Sequence, residues 1–275
     1  MTVTLPSIAI LGTGSMGGAI LSGLVRPEVE VTGGIRVTNR SAEKADALAS
    51  DTVVSLATSV DPDANRAAVK GAKLVLIGVK PAMVPDLLRE IADALEPGAI
   101  LVSVAAGVTI ATMESIVAGS VLRAMPNTPA VVGRAVTGLA PGTRSTDADL
   151  ELARAAFATV GEVLVVPESK IDALGTISGS GPAYVFYLIE ELTKTAIGLG
   201  FTSDEAEAMV NTTFLGAAEL LAASDVDAAE LRRRVTSPKG TTERAIAVLQ
   251  ESGVKEMFDR ATAAALARTR ELAAG

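Results

Sequence analysis

The chain has no cysteine, no histidine and no tryptophan among its 275 residues. Without cysteine there are no disulfides, thiolate metal sites or sulfur nucleophiles. Without histidine every His-based triad or acid–base pair is excluded, along with the usual proton donor of 2-hydroxy-acid dehydrogenases. Proton handling falls to hydroxyls, lysines, carboxylates, backbone groups or water, and no metal is expected. Cations are also in deficit: 24 Lys and Arg face 32 Asp and Glu, a net charge of -8. Phosphate backbones need clustered cations, so the balance argues against nucleic acid. No apolar run approaches the roughly 20 residues of a membrane span. Met1-Thr2-Val3-Thr4 lacks the basic start of a secretion signal. A soluble, cytoplasmic protein is the expectation.

What is present is a glycine-punctuated alternation of short apolar runs and helical spacings. Ile8-Ala9-Ile10-Leu11 reads as a buried parallel strand. Gly12-Thr13-Gly14-Ser15-Met16-Gly17 follows it and leads into a helix. In that context G-x-G-x-x-G gives a tight turn, room for a pyrophosphate and close helix–strand packing. The second strand, Ile35 to Thr38, ends at Asn39-Arg40-Ser41 rather than at the Asp or Glu that takes the ribose 2′-hydroxyl of NAD. An amide, a guanidinium and a hydroxyl suit a 2′-phosphate, so NADPH is expected over NADH; a merely solvated Arg40 is the alternative.

Further strands are expected at Thr52–Leu56, Leu74–Val79, Ala99–Val104, Val121–Met125, Ala135–Ala140 and Glu162–Val166, with helices between them. This specifies a doubly wound parallel sheet whose ligands lie at the strands' carboxyl ends. Val79-Lys80-Pro81, Ala105-Ala106-Gly107 and Met125-Pro126-Asn127 all fall at such ends. Lys80 there either steers cofactor phosphates or faces water. The boundary is set at 166/167, giving a dinucleotide-binding domain over 1–166 and an all-helical domain over 167–275.

In the second half, Ser178-Gly179-Ser180-Gly181 is expected to break or kink the chain, with Pro182 restarting a helix. Ala183-Tyr184-Val185-Phe186-Tyr187-Leu188 is apolar all round and holds three of the chain's seven aromatics. A small helical domain cannot surround such a helix alone, so a homodimer is expected. Thr202 and Asp227 should cap later helices. The stretch Thr236-Ser237-Pro238-Lys239-Gly240-Thr241-Thr242 then places hydroxyls and a glycine before an amphipathic run. Ser237 fits an N-cap and Pro238 the first helical position. Amides from Lys239 to Thr242 would then point outward, either as an ordinary capped helix or as a seat for a small carboxylate.

Across its length the chain resembles the pyrroline-5-carboxylate reductases. The carriers are the glycine loop, Asn39-Arg40-Ser41, Val79-Lys80-Pro81, Arg123-Ala124-Met125-Pro126-Asn127-Thr128-Pro129, Ser178-Gly179-Ser180-Gly181-Pro182-Ala183-Tyr184 and Thr236 to Thr242. The resemblance implies NADPH-dependent reduction of the ring C=N of 1-pyrroline-5-carboxylate to L-proline, the last step of proline synthesis. It implies a Rossmann-type domain followed by a helical domain that builds a dimer, assembled in some members into decamers. It implies that Ser237, Gly240 and Thr241 hold the substrate carboxylate, that Thr242 bonds the ring nitrogen, and that Asn65 lies near the cofactor ribose and phosphate. Many members carry Gly where this chain has Lys239, whose charge either adds to the carboxylate seat or points to solvent.

The enzymatic alternatives are a reductase of another small cyclic imino acid and a β-hydroxyacid dehydrogenase. The latter family resembles Gly-x-Gly followed by a Lys-x-x-Asn helix, and Gly179-Ser180-Gly181 leads into Pro182-Ala183-Tyr184 without that lysine. The non-enzymatic alternative is an NADPH-binding regulator, against which the intact Ser237–Thr242 loop weighs.

Overall fold

A computed structural model of the protein describes residues 2–274. The apolar runs Ile8–Leu11, Leu74–Ile77 and Ile100–Ser103 become central strands buried on both faces. In chain order the elements begin β1 (Val3–Leu5), β2 (Ile8–Leu11), α1 (Ser15–Leu24), β3 (Val29–Val31), β4 (Ile35–Asn39), α2 (Ala42–Asp46), β5 (Val53–Ala57) and α3 (Ala64–Val69). They continue with β6 (Leu74–Ile77), α4 (Val84–Ile91), β7 (Ile100–Ser103), α5 (Ile110–Glu114), β8 (Ser120–Met125), β9 (Ala135–Pro141), α6 (Asp147–Ala158) and β10 (Gly161–Val165).

Eight strands form one sheet in the order β10-β9-β8-β7-β6-β2-β4-β5. The chain winds outward from β2 to β5, then returns beside β2 as β6, which puts the topological switch between β2 and β6. The crevice at their carboxyl ends is the expected ligand seat. One core layer packs Val69, Leu88, Ile91 and Met113 against one face of the sheet, and the other packs Ile20, Leu24 and Phe157 against the opposite face.

Two details depart from the sequence reading. β9 runs antiparallel to β8, pairing Met125 with Gly138 and Leu122 with Pro141, and β10 follows β9 in parallel. The link from Met125 to Ala135 is too short for a crossover helix, so the chain reverses. In addition β1 and β3 form a small parallel pair of their own, and Leu5 seals the core beneath it.

After β10 come α7 (Ile171–Leu174), a π-helical turn over Gly175–Gly179, and α8 (Gly181–Gly198). Where a break or a kink was expected, the chain stays helical and the helix widens. The Ser180 amide reaches back to the Gly175 carbonyl at 3.0 Å, a five-residue span. A side chain on Gly175 would meet Met125 Cε at 2.9 Å, so the widened turn lies close against the end of β8. The remaining helices are α9 (Ser203–Ala222), α10 (Ala228–Arg234), α11 (Thr241–Glu251) and α12 (Val254–Ala274).

The chain divides into two compact units, one holding the residues up to Ser180 together with the end of α12 from Ala265, the other Gly181–Ala264. The first extends past the boundary set at 166/167 because Ile171 is buried and Leu174 covers Gly138, whose Cβ would approach Leu174 Cδ1 to 2.8 Å. Among the described residues no helix is long and apolar enough to cross a membrane.

Candidate active site

Each glycine of the first loop has a separate steric reason. Gly12 has a φ of 89°, in the left-handed region, and a Cβ there would meet Val79 Cγ1 at 2.8 Å. A Cβ on Gly17 would lie 2.5 Å from the Gly12 carbonyl oxygen, so α1 can approach β2 only without a side chain there. Gly14, the N-cap of α1, would meet nothing within 4 Å. That open side is where a ligand can approach the backbone. Gly78 was not singled out from sequence; its Cβ would also lie 2.5 Å from the Gly12 oxygen. Thr38 pins the loop, accepting from the Gly12 amide at its hydroxyl (3.3 Å) and from the Thr13 amide at its carbonyl (3.1 Å).

Around this loop lies a cleft of about 650 Å³. Of the residues expected to hold the cofactor, Gly12, Thr13, Gly14, Asn39, Arg40, Ser41, Asn65, Val79 and Lys80 line it together. Ser15, Met16 and Gly17 form the adjoining first turn of α1, and Pro81 begins a 3-10 turn beside Lys80. Arg40 and Lys80 are exposed at the rim, while Asn39 is buried. Asn39 Nδ2 has no hydrogen-bond partner among the described residues. A buried donor without a partner is costly, and this one belongs to a residue lining a cleft whose charged residues are Arg40, Lys44 and Lys80 with Asp86 and Glu90. Lys44, on α2, joins Arg40 in that wall and was missed from sequence. Asn65 Nδ2 donates to Glu90 Oε1 at 3.1 Å. Next to it, paired Nη–Oδ bonds of 2.5 and 3.1 Å join Arg66 to Asp93. The hydrogen bond to Arg66 holds the Asp93 carboxyl below its ordinary pKa.

The other strand-end residues do not line this cleft. Ala105 is part of the core, Ala106 is exposed beyond β7, Met125 ends β8, and Pro126 and Asn127 follow it. Asn127 ties that end down: its Oδ1 accepts from the Val136 amide (2.8 Å) and its Nδ2 donates to the Ser178 carbonyl (2.9 Å). Arg123, only 3% exposed, reaches Asp172 at 2.5 Å and Glu168 at 3.5 Å. Glu168 also accepts from the Ile110 amide at 2.7 Å, so the buried guanidinium is paired and its partners are held.

In the second unit the hydroxyl–glycine loop differs from its sequence reading. α11 starts at Thr241 with Gly240 as N-cap, so Ser237 is not the cap and Pro238 is not the first helical residue. Ser237 to Gly240 form a β-turn closed by the Gly240 amide on the Ser237 carbonyl at 2.9 Å. Pro238 supplies the fixed φ of the second position and Lys239 stands third with φ 63°, the pattern of a type II turn. Lys239 is the only non-glycine residue with positive φ among those described. Its amide donates to Glu243 Oε2 at 2.7 Å, so it is not free as expected. The first-turn amides of Thr241 and Thr242 have no carbonyl of their own helix to bond. No hydrogen bond holds the hydroxyls of Ser237, Thr241 or Thr242 among the described residues. Ahead of the loop, Asp227 caps α10 as expected, its side chain accepting from the Glu230 amide at 2.9 Å. The Arg233 and Arg234 guanidinium groups hold the Glu230 carboxyl down at a pKa of about 2.

Residues 168–272 match the family model for pyrroline-5-carboxylate reductase dimerisation, and residues 7–107 match the model for NADP oxidoreductase, coenzyme F420-dependent. A pyrroline-5-carboxylate reductase of Pseudomonas aeruginosa is 36% identical over 271 residues, spanning 98% of this chain and 97% of that one. The chain belongs to the pyrroline-5-carboxylate reductase family. The reductase of Mycobacterium leprae is 39% identical across 99% of this chain and 98% of its own. Among solved structures, the Coxiella burnetii pyrroline-5-carboxylate reductase superposes with a TM-score of 0.86 at 34% identity, covering 96% of this chain and 97% of that one. A Plasmodium falciparum pyrroline carboxylate reductase solved with NADP bound has a TM-score of 0.79 at 22% identity, covering 97% and 98% of the two chains. At that identity it shows the shared fold.

Proposed function

We propose that this chain reduces the C=N bond of 1-pyrroline-5-carboxylate to L-proline with NADPH as reductant. The observation that carries this reading is family membership that runs end to end through both the glycine loop and the hydroxyl–glycine loop. The cleft in the first unit fits a dinucleotide: Gly14 leaves its backbone open, and Asn39 keeps a buried donor unpaired. Gly12, Thr13 and Gly14 with the first turn of α1 hold the pyrophosphate. Asn39, Arg40, Ser41 and Lys44 hold a 2′-phosphate, which is why NADPH is preferred. When bound, the reduced nicotinamide supplies the hydride.

In the second unit the amides of Thr241 and Thr242, at the positive end of α11, hold the substrate carboxylate together with the Ser237 hydroxyl. Thr242 orients the ring nitrogen: in its protonated form that nitrogen donates to Thr242 Oγ1. A protonated imine is already electrophilic, and hydride addition neutralises it, so orientation matters more than a strong acid. That chemistry suits a chain without histidine.

The helical unit works as a homodimer. Across Gly181–Ala264 only Ala196, Ala206 and Val210 are buried, too few to stabilise a domain of that size. Phe186 is 66% exposed and Tyr187 60% on α8, and Leu215 60% on α9. Beside them an apolar groove of about 820 Å³ is lined by residues including Val185, Phe214, Leu221 and Val235. A second copy of the same faces is the occupant, as a two-fold contact requires. Higher assembly into the decamers known in the family would build on this dimer. Sedimentation at several concentrations reads the assembly, and steady-state kinetics with 1-pyrroline-5-carboxylate reads the reaction.

A further inference from the structure

Lys239 adopts a backbone conformation that L-residues avoid, and its amide is held by one side chain. Its φ of 63° places Cβ against its own carbonyl region, a position that glycine takes without penalty. The carboxylate of Glu243 accepts the Lys239 amide proton at 2.7 Å across the first turn of α11. The same turn is closed on its other side by the Gly240 amide on the Ser237 carbonyl. Glu243 is exposed, as are Ser237 and Lys239, so no packing fixes this geometry instead.

We propose that Glu243 is a positioning residue for substrate binding: it is the strut that keeps Lys239 left-handed and thereby sets the Ser237 hydroxyl against the Thr241 and Thr242 amides. The inference rests on the reading of this loop as the carboxylate seat. A glycine at 239 would hold the same turn with no strut. In this chain Lys239 makes Glu243 necessary. The carboxylate also satisfies the Lys239 amide, leaving the helix-start amides of Thr241 and Thr242 as the free donors.

Steady-state kinetics on the full-length protein test this with four variants. Glu243→Ala is expected to raise KM for 1-pyrroline-5-carboxylate about tenfold while kcat changes less than about twofold, the size of one lost charge-assisted hydrogen bond. Glu243→Gln keeps an acceptor oxygen and should raise KM less. Lys239→Gly placed in the Glu243→Ala background should return KM most of the way to the parent value, because glycine needs no support at that φ. Ser237→Ala serves as the control for the seat itself. If Ser237→Ala raises KM and Glu243→Ala does not, or if Lys239→Gly gives no rescue, the strut is wrong while the seat stands. If Ser237→Ala also leaves KM unchanged, the seat and the strut both fall.

Discussion

Ser237 opens the β-turn and Thr242 lies in the first turn of α11 that follows it, and the two are expected to fail differently when truncated. In the proposed seat the Ser237 hydroxyl would touch substrate whenever it is bound, so Ser237→Ala should raise KM. Thr242→Ala would remove the group proposed to orient the reacting nitrogen, so it should mainly lower kcat, by about tenfold to a hundredfold for a bond to a charged partner. Steady-state kinetics of both variants check this, and equal small effects would return the loop to a structural role. At the cleft, Arg40→Asp should lower the ratio of kcat/KM for NADPH over that for NADH by at least about tenfold, since a guanidinium–phosphate contact is replaced by repulsion. The glycines at 12, 14 and 17 were legible in the sequence because their spacing between a strand and a helix has a steric meaning. The unpaired Asn39 amide, the second cation Lys44 and the φ of Lys239 were not, because each depends on neighbours that only the folded chain brings together.

α1 can lie against β2 only because Gly17 leaves the Gly12 carbonyl uncrowded. Gly17→Ala should cost about 1–3 kcal/mol of stability by overpacking and weaken NADPH binding, read by denaturant unfolding and by cofactor titration. In α10 the Glu230 carboxyl titrates near 2 in the folded protein, below its ordinary value of 4.5, because Arg233 and Arg234 donate to it. A depressed folded pKa contributes stability above 4.5, and that contribution disappears as pH falls toward 2. Glu230→Gln should therefore narrow the difference in thermal midpoint between pH 7 and pH 3, and leave the protein's behaviour between pH 6 and 8 unchanged. The strand series and the capping residues Thr202 and Asp227 could be read from pattern alone. The reversal of β9 and the π turn could not, since glycine spacing marks a special backbone without saying which one. The start of α11 was misplaced for a related reason: Ser-Pro opens a helix and a type II turn equally well, and the Gly240 amide on Ser237 decides between them.

At the scale of the whole molecule, the all-apolar first turns of α8 point to a partner surface, and the helical unit buries only three side chains of its own. Phe186→Glu or Leu215→Glu should shift the protein toward monomer in sedimentation and lower its thermal midpoint. A dimer unaffected by both would place the contact elsewhere. The absence of histidine and cysteine acts at this scale too, because it removes every side chain whose ordinary pKa lies near neutrality and leaves orientation as the catalytic resource. The most direct test of the proposed function is therefore the reaction itself: purified full-length protein, NADPH and 1-pyrroline-5-carboxylate, with cofactor oxidation and proline formation followed together, beside parallel reactions containing a 2-keto acid and no substrate. The expected result is one L-proline formed for each NADPH oxidised, and no oxidation in the other two. Turnover only with the keto acid, or cofactor oxidation without proline, would contradict the assignment.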